Sequence, residues 1–168
     1  EGSRLFAAIP ERYERLRALA QQTAARPRVM LNTPYRDTWF MPARNSYMVR
    51  LLEDAGARYI FEENTATQTL PIDIEQAYYL TSKSDFWLNG SGCNTLDEVR
   101  RQNPRLADTP PVREGRVYDN NRRRNAAGGS DFWESGVLRP DRVLADLVHI
   151  FHPELSETDE LYYYRQLE

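Results

Sequence analysis

Short apolar runs alternate with helical segments along most of this chain, and that alternation limits the fold more than any other feature. The first helical pattern covers residues 9–25. Pro10 suits its first position, where a missing N–H costs nothing, and Ile9, Tyr13, Leu16, Leu19 and Ala20 recur at helical spacing. Pro27 ends it. Residues 28–32 (RVMLN) then form an apolar run bounded by Pro27 and Pro34, the pattern of a short buried strand. A helix from Ser46 to Ala55 places Met48, Leu51, Leu52 and Ala55 on one face and stops at Gly56. Residues 58–61 (RYIF), 85–89 (DFWLN) and 116–119 (RVYD) read as further strands. Asp73 with Gln76, and Thr95 with Glu98, form capping boxes that open two more helices. A last helix runs from Pro140 to Phe151 and is closed by His152 and Pro153, while residues 161–167 fit strand and helix equally well.

Strands alternating with helices imply parallel pairing through right-handed crossovers. The expected fold is therefore α/β: a three-layer, Rossmann-like lobe with a short, mainly parallel sheet flanked by helices. The 168 residues suffice for one such domain with its own core, spanning residues 1–168. A net charge of −3 gives no reason to expect a nucleic-acid partner. The single cysteine, Cys93, excludes an intrachain disulfide framework. The chain shows no signal peptide, lipid-attachment motif or apolar span, and it opens in a helical pattern at Glu1 without an initiator Met, as expected of a fragment.

In a sheet of this kind, ligand groups gather at the carboxyl ends of the strands. That rule selects four loops: residues 33–44, 62–71, 90–94 and 120–138. The first carries Tyr35, Arg36, Trp39, Phe40, Met41 and Arg44; the last carries Arg122, Arg123, Arg124, Phe132 and Trp133. Flat apolar faces beside guanidinium groups suit a large, partly aromatic, partly anionic ligand. Each tryptophan fits equally well as a plug at the end of the core, and at least one of the three arginines fits a solvated turn.

Other residues carry less chemistry. Asp131 and Glu134 are a conceivable acid–base pair, but no third catalytic partner is evident and carboxylates near a helix start commonly serve as caps. His149 and His152 sit three apart on a helix without a further ligand cluster, so no metal site is expected. Cys93 lacks a CxxC partner, the Gly-rich turn at residues 89–94 lacks a phosphate-binding pattern, and Ser46 lies outside any GxSxG elbow.

Residues 136–155, GVLRPDRVLADLVHIFHPEL, resemble the carboxyl-terminal end of class III periplasmic substrate-binding proteins, the cobalamin, iron–siderophore and haem binders that feed ABC importers. Residues 26–32 followed by TPYRDTWFMP look like the first strand and cleft loop of the second lobe in that family. SYMVRLLEDAGARYIF resembles its helix-then-strand element, with Ala57 where the family often has a second glycine, and DFWLNG resembles a later strand. The TWFMP, SYM, DAG and DFWESGVLRPD segments are most similar to iron-compound binding proteins common in Bacteroidetes. The resemblance spans nearly the whole chain.

The resemblance implies the second, carboxyl-terminal lobe of a two-lobe protein, without the first lobe and the helix that joins them. It implies a periplasmic location, lipid-anchored in the full-length protein, with no catalysis and no intrinsic cofactor. The ligand would be a ferric siderophore, haem or a corrinoid. The partner would be a membrane-embedded ABC permease, docked through Glu53 in the LLEDAGA segment. Loop position makes Tyr35, Trp39, Met41, Tyr47, Arg122, Phe132 and Trp133 the expected ligand contacts. Two other readings remain open at this point: a hydrolytic enzyme using Asp131 and Glu134, and a sensor or scaffold that keeps the same fold.

Overall fold

The computed structural model describes residues 2–89 and 93–168. Of the expected loop at residues 90–94, residues 90–92 therefore lie outside the described residues. The chain begins with α1 (Gly2–Gln21), then β1 (Arg28–Leu31), β2 (Pro34–Tyr35), β3 (Thr38–Met41), α2 (Tyr47–Asp54), β4 (Arg58–Tyr59), β5 (Leu70–Ile72), α3 (Ile74–Ser82) and β6 (Phe86–Leu88). It continues through α4 (Leu96–Gln102), α5 (Pro110–Arg113), β7 (Val117–Asp119), α6 (Ser135–Leu138), α7 (Pro140–Phe151) and β8 (Arg165–Gln166).

The main sheet has the order β4-β1-β6-β7-β8. Its first four strands are parallel, and β8 closes the edge antiparallel to β7, with Tyr118 opposite Gln166. The tail at residues 161–167 thus resolves as a strand. From β1 the chain steps outward to β4 through α2, then doubles back through α3 to β6 on the other side of β1. Right-handed crossovers in opposite directions put their helices on opposite faces. Accordingly α1, α2 and α7 pack together, while α3, α4 and α5 pack together. Between them lies one continuous core that includes Val29, Met30, Leu31, Trp87, Leu88 and Val117 from the sheet and Leu144, Leu147 and Val148 from α7.

The local signals for the helices act as expected. Ser46 accepts the Val49 amide at 3.4 Å, Asp73 accepts that of Gln76 at 2.8 Å, and Thr95 accepts that of Glu98 at 3.2 Å. Each satisfies an amide that the first helical turn leaves without a carbonyl. The first helix differs from expectation: it starts at Gly2, so Pro10 lies inside it, and it ends at Gln21. An interior proline forfeits one helical bond to the residue four back. Here that loss falls on the solvent side, because both Pro10 and Phe6 are exposed.

The segments read as loops at residues 33–44 and 62–71 hold a second sheet, β2-β3-β5, antiparallel throughout. Pro34 and Pro71 disguise it, since proline lacks an amide for the ladder. Both prolines sit on edge strands, where one side of the backbone needs no partner. The loop at residues 120–138 is also ordered. Arg124 bridges to Ser130, the Asn125 side-chain oxygen Oδ1 accepts the amides of Ala127 and Gly129, and a 3-10 turn at Asp131–Trp133 leads into α6.

Candidate functional site: a cleft at the carboxyl edge of the sheet

The reversal of chain direction lies between β1 and β6, where the loops leaving the two strands diverge. Open α/β sheets present a crevice at such a point. Here a cavity of about 500 Å³ opens there, lined by Asn32, Thr33, Phe40, Asn89, Asp119, Asn120, Asn121, Arg124, Gly128, Ser130 and Trp133. Its floor is the ends of β1, β6 and β7, and its walls are β3 and the loop at residues 120–138.

Each floor position is held from below. Asn32 and Asn89 follow β1 and β6 directly and adopt left-handed backbone conformations, with φ of 68° and 60°. Asparagine tolerates this region better than most residues. The Asn32 amide donates to the Leu88 carbonyl, and the Asn89 amide to that of Tyr118. Beneath them Trp39 and Trp87 lie 5.6 Å apart. The Trp39 indole donates to the Leu31 carbonyl at 2.8 Å and the Trp87 indole to the Asn32 carbonyl at 2.6 Å. The Tyr164 hydroxyl donates to Asn89 Oδ1 at 2.9 Å; burial raises its pKa well above the usual tyrosine range, so the phenol stays a donor. Asp119 Oδ1 accepts the Asn120 amide at 3.0 Å, and Ser130 donates to the Asn120 carbonyl at 2.5 Å.

The residues singled out from sequence divide three ways. Trp133 lines the cavity and is 65% exposed. Phe132 is buried at 4% and meets Trp133 edge-on, with ring centres 4.9 Å apart, so it props the indole from the core side and does not line the cavity. Trp39, at 1% exposure, and Met41 are core residues. The reason is strand alternation: in β3, Trp39 and Met41 point inward and the intervening Phe40 points out into the cleft. Tyr35 and Tyr47 are exposed but do not line the cavity. Of the three arginines, Arg124 faces the cleft. Arg123 stacks on Tyr162 at 3.7 Å, and Arg122 pairs with Glu160 at 3.4 Å, which takes it off the cavity wall. Sequence reasoning missed Asn32, Asn89, Asn120 and Asn121. Their signal was the asparagine directly after each strand.

The groups with reactive chemistry are tied up elsewhere. Asp131 accepts the Ser135 hydroxyl at 2.7 Å, and Glu134 accepts the Asn125 side-chain amide at 2.5 Å. His149 contacts Ser156 and Thr158, whereas the buried His152 contacts the Gly56 carbonyl at 3.1 Å. Cys93 is buried, and burial pushes its thiol pKa up, which keeps it protonated and unreactive. Among the described residues no group of three or more His, Cys, Asp or Glu side chains could hold a metal ion. The cavity thus offers two aromatic faces, one guanidinium and a row of amides.

Comparison with known proteins agrees with this geometry. A family profile described as periplasmic binding protein matches residues 1–122. An uncharacterized lipoprotein of Methanocaldococcus jannaschii is 28% identical over 131 residues, covering 76% of this chain and 30% of that protein. Among solved structures, the periplasmic binding protein FepB of Veillonella parvula superposes with a TM-score of 0.69 at 14% identity, covering 95% of this chain and 54% of that one. A periplasmic haem-binding protein of Pseudomonas aeruginosa superposes with a TM-score of 0.63 at 21% identity, covering 95% and 55%. The chain thus spans about half the length of these solved structures. With a profile match over most of its length and the expected α/β lobe in place, the chain belongs to the periplasmic binding protein family.

Proposed function

We propose that this chain is the second lobe of a two-lobe periplasmic protein that captures an iron complex (a ferric siderophore or haem) or a corrinoid and delivers it to an ABC importer. The observation that carries this reading is the cavity at the sheet's reversal point, walled by Trp133, Phe40 and Arg124. It opens at the strand ends, so a facing lobe would complete the enclosure that a tight small-molecule site needs. The periplasmic haem-binding protein of Pseudomonas supports the ligand class, and the lipoprotein relative supports a periplasmic, lipid-anchored location. Among the described residues no helix is long and apolar enough to cross a membrane.

Co-purification tests the ligand class. The full-length protein is expected to carry a chromophore or a chelate mass in native mass spectrometry and absorbance. Trp133→Ala combined with Arg124→Ala should weaken its capture by about tenfold or more, because a stacked aromatic face and a charge-assisted bond are both removed. The denaturation midpoint should hardly move, since both side chains are exposed. Unchanged affinity would place the ligand elsewhere.

Glu53 is the proposed permease contact. It is exposed on α2, and no described residue forms an ion pair with its carboxylate. Glu53→Arg is expected to leave ligand affinity intact while lowering import, or ATPase stimulation of the reconstituted transporter, several-fold. Loss of ligand affinity in this variant would overturn the docking role.

A further inference from the structure

Three neighbouring parallel strands, β1, β6 and β7, are each followed at once by an asparagine, and a fourth asparagine comes next in the chain. Asn32, Asn89, Asn120 and Asn121 all line the cavity. For Asn32 and Asn89 the left-handed backbone already favours asparagine. It does not account for Asn120 or Asn121, whose backbones are not left-handed.

The hydrogen bonds of the four side chains are only half used. Asn32 spends Nδ2 on the Phe40 carbonyl at 3.0 Å, and among the described residues nothing donates to its Oδ1. Asn89 spends Oδ1 on Tyr164, and among the described residues nothing accepts from its Nδ2. Nδ2 of Asn120 and both polar atoms of Asn121 are buried without a partner, and Asn120 is only 7% exposed. A buried polar group left unpaired costs roughly 1–3 kcal/mol. Three such atoms on consecutive residues beside an open cavity are not explained by the stability of the lobe.

Resting on the reading of this cleft as a binding site, we propose that the asparagine row selects its ligand. The preferred class is a metal chelate whose periphery carries carboxamide or hydroxamate groups, each offering a carbonyl acceptor and, in amides, an N–H donor. The free valences match that class: amide N–H from Asn89, Asn120 and Asn121, and amide oxygens from Asn32 and Asn121. Buried, unpaired amides beside the cavity can pair with ligand amides in both directions. A periphery of carboxylates would use the N–H groups alone and leave the amide oxygens facing like partial charges, with Arg124 as the only cation lining this cavity among the described residues. Asn120 and Asn121 are the specificity-determining pair, because their side chains have no other described partner.

The test is titration calorimetry on the full-length protein with ferrioxamine B and cyanocobalamin as amide-bearing probes and haemin as a carboxylate-bearing probe. The parent should bind at least one amide-bearing probe more tightly than haemin. Asn120→Ala with Asn121→Ala should weaken that binding about tenfold or more and weaken haemin binding by a smaller factor, since carboxylates use the N–H groups alone. Without ligand, the urea midpoint of the double variant should stay level or rise, as removing unpaired buried amides costs the fold nothing. Parent preference for haemin would overturn the inference and leave the binding function standing. So would a double variant that keeps full affinity, or one whose midpoint falls, which would mark the amides as structural. Binding of none of the three probes would overturn the inference together with the chelate-binding reading.

Discussion

Replacing Gly56 with alanine is expected to destabilise the protein by about 3–4 kcal/mol, one of the two largest single-residue effects in this chain. Gly56 follows α2 with φ of +81°, a backbone conformation that costs an L-residue roughly 1 kcal/mol or more. Space makes matters worse. A methyl group there would stand 2.7 Å from Nε2 of His152 and 2.9 Å from the Ala20 carbonyl oxygen. The carbonyl belongs to α1 and cannot retreat without moving the helix. The His152 ring cannot retreat easily either, since it is buried and contacts the Gly56 carbonyl at 3.1 Å. Three helices, α1, α2 and α7, therefore meet at this one glycine, and relieving the clash separates them. Urea denaturation checks the figure; a melting point lowered by roughly 6–16 °C is the thermal equivalent for a chain of this size. Ala57→Gly is the control. Ala57 is buried at 4% without a left-handed backbone, so its methyl fills core space and glycine there removes only that methyl. Its removal should cost only about 1 kcal/mol. A Gly56→Ala loss below about 1 kcal/mol would show that the helix junction is softer than its contacts imply.

That junction was partly visible in the sequence. A glycine after LLEDA reads as a helix stop, because the signal is local. The caps Asp73 and Thr95 and the helix starts at Ser46 and Pro140 were legible for the same reason, and so was the strand–helix alternation that fixes a parallel sheet. The second sheet was not, because Pro34 and Pro71 look like strand breakers until their edge positions are known. The cleft was legible by region and not by residue. Aromatic loops at the strand ends pointed to the edge where the cavity opens, and Trp133 lines that cavity. Direction was the missing quantity. Trp39 and Met41 turn inward because β3 is a strand, and read as a loop the segment had no alternation to apply. The asparagines were invisible for another reason. An asparagine after a strand is an ordinary turn signal, and only the pairing of β1, β6 and β7 brings three of them to one floor.

Asp146→Ala is expected to cost about 3–5 kcal/mol and to loosen the cleft from behind. Asp146 lies on α7 at 3% exposure, and its carboxylate is spent on the backbone of the tail. Oδ1 accepts the Tyr162 amide at 2.8 Å; Oδ2 accepts those of Tyr163 and Tyr164 at 2.6 and 2.9 Å. Alanine would leave three amides facing apolar surroundings, two of them on fully buried tyrosines. The consequences travel toward the site by contact. Tyr163 and Tyr164 pack edge-on against Phe132, which props Trp133, and the Tyr164 hydroxyl holds Asn89. The same tail continues into β8, which covers the open edge of β7. Asp146→Asn separates the charge from the hydrogen bonds. Its one carbonyl oxygen can sit where the Tyr163 and Tyr164 amides converge, leaving Nδ2 opposed to the Tyr162 amide. An intermediate loss of about 1–2 kcal/mol follows, for one bond lost instead of three. Amide hydrogen exchange localises the effect: protection should fall first at residues 162–167 in both variants, and further in the alanine. If Asp146→Ala costs less than about 1 kcal/mol, or if exchange rises evenly over the whole lobe, the tail is held by its tyrosine packing and β8 alone. The carboxylate would then be a passenger in the contact between α7 and the cleft.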